Sequence, residues 1–385
     1  MNKLNYILAL IITSISFSQT NEHNTITKAG DGLYFMYFDS SEAKGTIVEF
    51  KDFIVLIEAP VKNEGGGARN LKDHEHGGEK ILKTLKNYFP AKPLKYLLHS
   101  HWHPHSISSV NPFLRNGVTV VSTEDNYSVI KAFIDTLGIA NVAEKILFVN
   151  DSLEISDGKT KLTAYRLLQS DYPNIPTKDY LYFYLHSHNI IHCACMYNKW
   201  EGEPVEGKEI LTGREEDLHR FLKSKNLKPE YLIRYTKENT ETNDMQPLSG
   251  LEHVISNGIR SADISKRIME IPQDRLDDSM DAVVKEIVES KIPSSIINTT
   301  VYSLIRKKEL KKANSFAILQ AMLNPADPNS WDTLGETYFF LGDIEMAKYY
   351  EKQSKKISPD FTGGGFEIWQ KDLEDYTKIW DNTPE

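Results

Sequence analysis

The feature that most constrains the fold of this 385-residue chain is a repeat near its C-terminus, in which the same residue types recur at an interval of about 34 residues. The stretch W-x-x-L-G-x-x-Y at 331–338 is followed by Ala347, and Ala313 stands one such interval before it. The same interval separates Pro359 from Pro325. A repeat of this length is typical of helical hairpins, in which small side chains let the two helices approach closely. Two such units cannot bury both faces, so they must pack on the rest of the chain or on a partner.

This pattern resembles the tetratricopeptide repeat, although Glu351 replaces the later aromatic residue of that pattern. The resemblance implies tetratricopeptide-like repeats over 297–360, stacked as two hairpins whose first helices lie near 297–307 and 329–341. It also implies a protein or peptide partner that binds the repeats. Proline lacks the backbone N–H of a helix interior, so Pro325, with a second proline three residues on, argues against one long helix.

The flanking segments complete the predicted order of domains. Residues 241–296 are polar and turn helical near 280–290, which predicts a linker and helical segment. A C-terminal helix is predicted within 361–385, after a run of three glycines. The apolar and polar residues of 27–240 alternate as in strands and helices, which indicates an α/β domain.

The N-terminus reads as a processing segment. Lys3 precedes an apolar run over 6–17 that is shorter than a membrane-spanning helix, and 16–18 is a small-x-small cleavage pattern. We expect a signal peptide at 1–18, a mature chain that begins at Gln19, and export to the periplasm or the outside of the cell. No later run is apolar enough to suggest a transmembrane segment.

Charge and cysteine content exclude other classes. The chain has 45 Lys and Arg against 54 Asp and Glu, a net charge of −9, which lacks the basic footprint of a nucleic-acid binder. The two cysteines, Cys193 and Cys195, are too few for a disulfide framework.

Histidines cluster in two short segments, and this is where the sequence points to chemistry. Four of the twelve lie in 99–105, and three more lie in 186–192 beside Cys193 and Cys195. Imidazole and thiolate are good ligands for zinc and similar metals. Histidines two apart at the end of a strand point the same way and can share an ion.

Residues 27–240 resemble the metallo-β-lactamase superfamily. Gly32-Leu33-Tyr34 is similar to the opening strand of that family, and Ile57-Glu58-Ala59-Pro60 is similar to its "IDaP" turn, with Glu for Asp. The strand 94–98 then leads into the histidine segment. The resemblance implies two sheets packed face to face with helices outside, an αββα sandwich, with the metal segment at the strand ends.

The metal segment of that family reads H-x-H-x-D-H, and two registers are open here. If His99 is the first ligand, the Asp falls on His103 and the third His on Pro104. If His101 is first, His103 is second and the Asp falls on His105. We favour the second register, which leaves the following residues of the family pattern better matched.

The departures from the family are larger than the match. The resemblance aligns the family's later metal-binding His with Pro176 and its bridging Asp with Cys195, and it finds no His near 232–236 for the last ligand. A hydrolytic two-metal centre needs well-held ions and a water of lowered pKa. The chain therefore keeps too few of the family's ligands for the usual centre.

Two interpretations remain open. In one, His101, His103, His105 and Cys195 hold a single zinc ion, and the protein is a hydrolase of an ester, lactam or phosphoester if one coordination position stays open. In the other, the sandwich is a non-catalytic scaffold and the helical repeats carry the function. The resemblance also makes Glu58 a candidate support for the metal ligands, but we expect a surface turn carboxylate there.

Overall fold

The computed structural model describes nine stretches of the chain: residues 24–37, 44–59, 75–102, 110–131, 134, 141–197, 203–234, 245–359 and 361. The predicted signal peptide at 1–18 lies outside these stretches, as does nearly all of the predicted C-terminal helix at 361–385. Within the described stretches, no helix is both long and apolar enough to cross a membrane.

The described strands form two large sheets and one small one. The first sheet is seven-stranded over the described residues, in spatial and chain order: β1 Thr25–Gly30, β2 Leu33–Tyr37, β3 Lys44–Glu49, β4 Ile54–Ile57, β5 Leu94–Leu98, β6 Thr119–Ser122 and β7 Ile146–Phe148. The other strands are β8 Ser152–Ser156, β9 Lys161–Leu168, β10 Asp179–Leu185, β11 Ile190–His192, β12 Ile210–Leu211, β13 Tyr231–Ile233, β14 Met245–Pro247 and β15 Ile259–Arg260. The second sheet has the spatial order β14-β13-β11-β10-β9-β8, and β12 pairs with β15.

The two large sheets pack face to face. Alternate residues of each sheet point into one shared apolar core, in which Val55 and Leu98 of the first sheet meet Leu181 and Phe183 of the second. These side chains are fully buried, as expected when strand alternation places one face of each sheet inside.

Helices cover the outer faces of both sheets. The helices of this part are α1 Glu75–Tyr88, α2 Asn111–Arg115, α3 Glu124–Ile130, α4 Gly213–Ser224 and α5 Leu248–Asn257. Helices α1 and α2 bury Ile81 and Phe113 against the first sheet, and α4 and α5 bury Phe221 and Leu251 against the second. The predicted αββα sandwich is therefore confirmed.

The sandwich continues past the predicted boundary at residue 240. Strand β14 pairs with β13, and α5 packs on the second sheet. Strand β5 has the bounds that the sequence indicated. Residues 194–196, which follow β11, form a single tight turn in which Ala194 takes a positive φ of 43°.

Helices make up the C-terminal part: α6 Ser261–Met269, α7 Gln273–Asp278, α8 Met280–Glu289, α9 Ser294–Arg306, α10 Leu310–Leu323, α11 Pro328–Phe340 and α12 Ile344–Ile357. Helix α11 has the bounds of α9 moved along the chain by one repeat interval, and α12 has the bounds of α10 moved by the same interval. The predicted stack of two hairpins is thus present, with the turn before α11 capped by Asp327 and followed by Pro328 at the first helical position.

The hairpins share a core with the sandwich. Val205 and Ile210, which precede α4, are buried in the same apolar cluster as Ile264, Val301 and Phe316 of the helical part. The β12–β15 pair ties the two parts together through the backbone. The faces that two hairpins cannot bury alone are therefore partly buried against the sandwich.

The helix crossing in the second hairpin depends on Gly335. A Cβ atom at this position would lie 3.2 Å from the carbonyl oxygen of Ala347 on α12. We predict that Gly335→Val destabilises the protein by about 1–3 kcal/mol because it forces the two helices apart. Urea unfolding followed by circular dichroism measures this, with Lys352→Val, at an exposed position of α12, as the control that costs only helix propensity. Equal unfolding midpoints for the two variants would contradict it.

Candidate functional site

The ends of several strands meet at one edge of the sandwich. Parallel strands β4, β5 and β6 end there, which brings Glu58, His101 and Thr123 to the same edge. The second sheet contributes the start of β10 and the turn after β11. A backbone hydrogen bond from Leu181 N–H to the Ser100 carbonyl, 2.8 Å long, joins the two sheets at this edge.

His101 and Cys195 lie next to each other at this edge. The Cys195 Sγ is 3.7 Å from His101 Nε2, and the other ring nitrogen, Nδ1, is 2.7 Å from Ser100 Oγ. Both ring nitrogens of His101 therefore have polar neighbours from the protein. Both side chains are buried, with Cys195 4% exposed and His101 fully covered.

Tyr180 holds this pair in place. Its hydroxyl oxygen accepts the Cys195 backbone N–H at 3.1 Å and donates to the Cys193 carbonyl at 3.2 Å. The same oxygen is 3.5 Å from Cys195 Sγ, and the Tyr180 ring stacks on the His101 ring at 4.9 Å. Sequence reasoning missed Tyr180. The alternation of β10 was the available signal, since it places Tyr180 and Tyr182 on the face opposite to the inter-sheet core.

Burial sets the protonation of these groups. It raises the pKa of the Cys195 thiol, and the charge of Arg214, whose side chain donates to the Cys195 carbonyl, only partly opposes it. Burial also raises the pKa of Tyr180 well above its usual value. With no ion bound, Cys195 is therefore a neutral thiol beside a neutral phenol at physiological pH.

Glu58 is not the surface carboxylate that we expected. It is fully buried, with a positive φ of 59°, and its Oε1 accepts the Ser100 N–H at 3.0 Å. A buried carboxylate that holds the backbone beside His101 supports the geometry of the pair. The expectation was wrong because the sequence Glu58-Ala59-Pro60 is typical of an exposed turn, whereas Glu58 and Ala59 directly follow β4 and are buried.

Asp179 joins the two sheets from the other side of the edge. Its carboxylate accepts from Thr123 Oγ1 at 2.7 Å and pairs with Arg166 at 2.9 Å. Burial raises its pKa, although both partners oppose the rise. Thr123 also caps helix α3 by accepting from Asn126 N–H. Asp179 thus fixes the end of β6 relative to β10.

The predicted metal ligands fall into two groups. The structure brings His101 and Cys195 together, while His103 and His105 lie outside the described residues. The register that starts at His101 thus stays a prediction. Over the described part of the chain, no cluster of three or more His, Cys, Asp or Glu side chains is placed to hold a metal ion.

The second histidine segment does not gather at the site. His186 contacts Thr163 Oγ1 at 2.8 Å, and His188 contacts the Asp31 carbonyl at 2.7 Å, both at the turn between β10 and β11. His192 is the last residue of β11 and therefore lies at the opposite end of that strand, which leads to Cys195.

The donor set does not fit the usual two-metal centre. The positions that the resemblance assigns to a histidine and to the bridging Asp hold Pro176 and Cys195, and the described end of β13 at 232–234 has no imidazole. The distance between His101 Nε2 and Cys195 Sγ is nevertheless close to the value of about 3.5 Å expected for two ligands of one tetrahedral zinc ion.

Comparison with solved structures finds metallo-beta-lactamases that are similar to this chain at low sequence identity and low TM-score. A metallo-beta-lactamase from Pontibacter korlensis has 17% identity and a TM-score of 0.42, over 61% of this chain and 98% of that one. One from Hirschia baltica has 15% identity and a TM-score of 0.41, over 61% and 97%. FIM-1 of Pseudomonas aeruginosa, in its mono-zinc form, has 14% identity and a TM-score of 0.39, over 60% and 92%. No protein-family model and no curated protein matches the chain.

His192 makes the edge sensitive to acid. It is fully buried, and its two ring nitrogens have no hydrogen-bond partner among the described residues. Burial, together with the charge of Lys44, lowers the pKa of His192 to about 3. The unfolded chain, with an ordinary histidine pKa near 6.5, therefore binds one more proton than the folded chain between these values.

We predict that stability falls as the pH drops below about 6.5, by about 1 kcal/mol per pH unit from this group. His192→Leu should flatten the slope between pH 6.5 and pH 4. Urea unfolding at a series of pH values measures the slope. His253→Leu, at an exposed position of α5, is the control and should leave the slope unchanged. A slope in His192→Leu equal to that of the unaltered protein would exclude the buried neutral imidazole.

Proposed function

We propose that this chain is an exported protein of the metallo-β-lactamase fold without the usual hydrolytic centre. Its metal edge has become a hydrogen-bonded network of a thiol, an imidazole and a phenol. Its helical hairpins are tetratricopeptide-like repeats that bind a protein or peptide partner. In this proposal the sandwich is a non-catalytic or strongly remodelled scaffold.

The contacts of Cys195 carry this proposal. Its sulfur sits between Tyr180 Oη and His101 Nε2, and the second nitrogen of His101 faces Ser100 Oγ. The polar atoms of the pair are thus satisfied by protein groups, as buried polar atoms must be. The charge of Glu58 is one cause of the raised pKa of Cys195, so a carboxylate at this position would be repelled, whereas a neutral thiol is not.

A single-metal hydrolase is the alternative. His101 and Cys195 would hold one zinc ion, with His103 and His105 as the remaining ligands. The 3.7 Å between His101 Nε2 and Cys195 Sγ supports this alternative. A zinc ion in such a site supplies a Lewis acid and a water of lowered pKa if one position stays open. Tyr180 and Ser100 would then orient the two ligands.

Metal content separates the two functions. We predict that the mature protein, purified without chelators and dialysed against zinc, retains well below one zinc ion per chain. His101→Ala and Cys195→Ser should not change that content. Cys193→Ser is the matched control, since Cys193 is a second buried thiol whose contact is the Ile233 carbonyl. Elemental analysis gives the content.

A zinc ion that depends on His101 and Cys195 would contradict this proposal. One ion per chain that is lost in His101→Ala and in Cys195→Ser, but kept in Cys193→Ser, would overturn the non-catalytic proposal and favour the single-metal hydrolase. Hydrolysis assays on ester, lactam and phosphoester substrates would then follow.

The proposed partner binding and the proposed export are supported by separate observations. The displacement of both helices of the hairpin by the same repeat interval supports the repeats, and stacked hairpins form concave surfaces that bind partners. The leader pattern at 1–18 supports export.

We predict that the protein recovered from an exporting host begins at Gln19, as N-terminal sequencing would show. Recovery of the chain with Met1 from the cytoplasm alone would contradict export.

A further inference from the structure

We propose that a cavity at the end of the sandwich opposite to His101 binds a carboxylate anion with an aliphatic body. The cavity lies between the C-terminal half of α1, the loop that follows this helix and the segment before β6. Leu94, the first residue of β5, lines it, whereas His101 lies beyond the other end of the same strand. This site goes beyond the function proposed above and does not depend on whether the edge of the sandwich binds a metal.

The cavity has the size and the lining of a ligand site. Its volume is about 560 Å³, and pockets for small molecules measure roughly 300–1,000 Å³. Leu85, Phe89 and Val118 form the buried part of the lining, and half-buried Leu82 and Leu94 extend it outward. An aliphatic chain in this cavity would leave water together with these side chains, which favours binding through the hydrophobic effect.

The loop after α1 is held in place by the rest of the first sheet. Lys92 Nζ donates to Glu49 Oε1 at 2.7 Å and to the Phe50 carbonyl at 2.8 Å. The Pro93 carbonyl accepts the Ile54 N–H at 3.0 Å. These contacts fix one wall of the cavity to the end of β3 and the start of β4. Binding therefore does not have to order this wall, which lowers its entropic cost.

Two lysines of α1 supply a positive charge at the cavity. Lys83 and Lys86 are exposed and line it, and a spacing of three residues places both on one face of a helix. Over the described part of the chain, neither side chain has a hydrogen bond or an ion pair. Lys92 adds little to this charge because Glu49 offsets it. Like charges at this spacing repel each other, so an anion beside them is stabilising.

Glu79 limits the charge that the ligand can carry. Among the described residues that line the cavity it is the one carboxylate, and it lies one helical turn before Lys83. With Lys83 and Lys86, the unpaired charges at the cavity sum to +1. A carboxylate monoanion balances this charge, whereas a phosphate dianion would leave an excess of negative charge. The ligand class is therefore a monoanion with an apolar body.

Methyl NMR of the full-length chain, titrated with octanoate, tests this site. We expect saturable shifts of the methyl signals of Leu82, Leu94 and Val118, which line the cavity. Octylammonium is the ligand control, since it has an aliphatic body of the same length and the opposite charge. It should cause no saturable shift of these signals at the concentrations that saturate the site with octanoate.

Substitution of the two lysines separates charge from apolar contact. Lys83→Gln and Lys86→Gln should each weaken octanoate binding by about two- to five-fold, the range for one exposed charge contact, and the double variant should weaken it further. Lys223→Gln is the matched control. Lys223 is exposed in the last turn of α4, as Lys86 is in the last turn of α1, but it packs on the other sheet and does not line the cavity. It should leave octanoate binding unchanged.

Several results would overturn the proposed site. Octanoate that leaves the signals of Leu82, Leu94 and Val118 in place would exclude binding in this cavity. Equal shifts with octylammonium, or unchanged octanoate binding in the double lysine variant, would exclude a site selected by charge. Shifts of similar size throughout the sandwich would show non-specific association and would also overturn it. Since all three substituted lysines are exposed, the variants test binding and not folding.

Discussion

The face-to-face packing of two sheets makes the edge between them a place where polar atoms must find partners inside the protein. Leaving one buried donor or acceptor without a partner costs about 1–3 kcal/mol. Asp179 meets this constraint with Thr123 and Arg166, and Glu58 meets it with the backbone of Ser100. The contact between Thr123 and Asp179 connects the two sheets, while the other two contacts join neighbouring strands within one sheet, so buried polar groups help to fix the shape of the edge.

The same constraint explains how a cysteine can stand at position 195. A thiol is neutral when buried, accepts and donates weakly, and is small enough to sit between Tyr180 and His101. A neutral thiol at this position needs no counter-charge, and the phenol of Tyr180 holds the backbone of the turn that carries Cys195.

Periodic patterns predicted single elements, while the resemblance implied their arrangement in a sandwich. The alternation of apolar residues predicted β5, and the repeat interval predicted the two hairpins, because burial of a regular element leaves a period in the sequence. The site was predicted only as far as the adjacency of His101 and Cys195, which followed from a resemblance. The contacts of Tyr180 and the burial of Glu58 depend on how two sheets meet, and no local pattern records that.

The helical hairpins and the segment before α4 share one apolar core, so the hairpins do not form an independent domain. The segment that leaves the site passes from Cys195 to Val205 and Ile210, and both of these side chains are buried in the core of the helical part. Strand β12, which contains Ile210, pairs with β15 immediately before α6. Removing the helices would expose this apolar surface, and each buried aliphatic side chain contributes about 1.5–3 kcal/mol. Val205 stands only ten residues after Cys195, so the core of the helical part begins close in the chain to the edge of the sandwich.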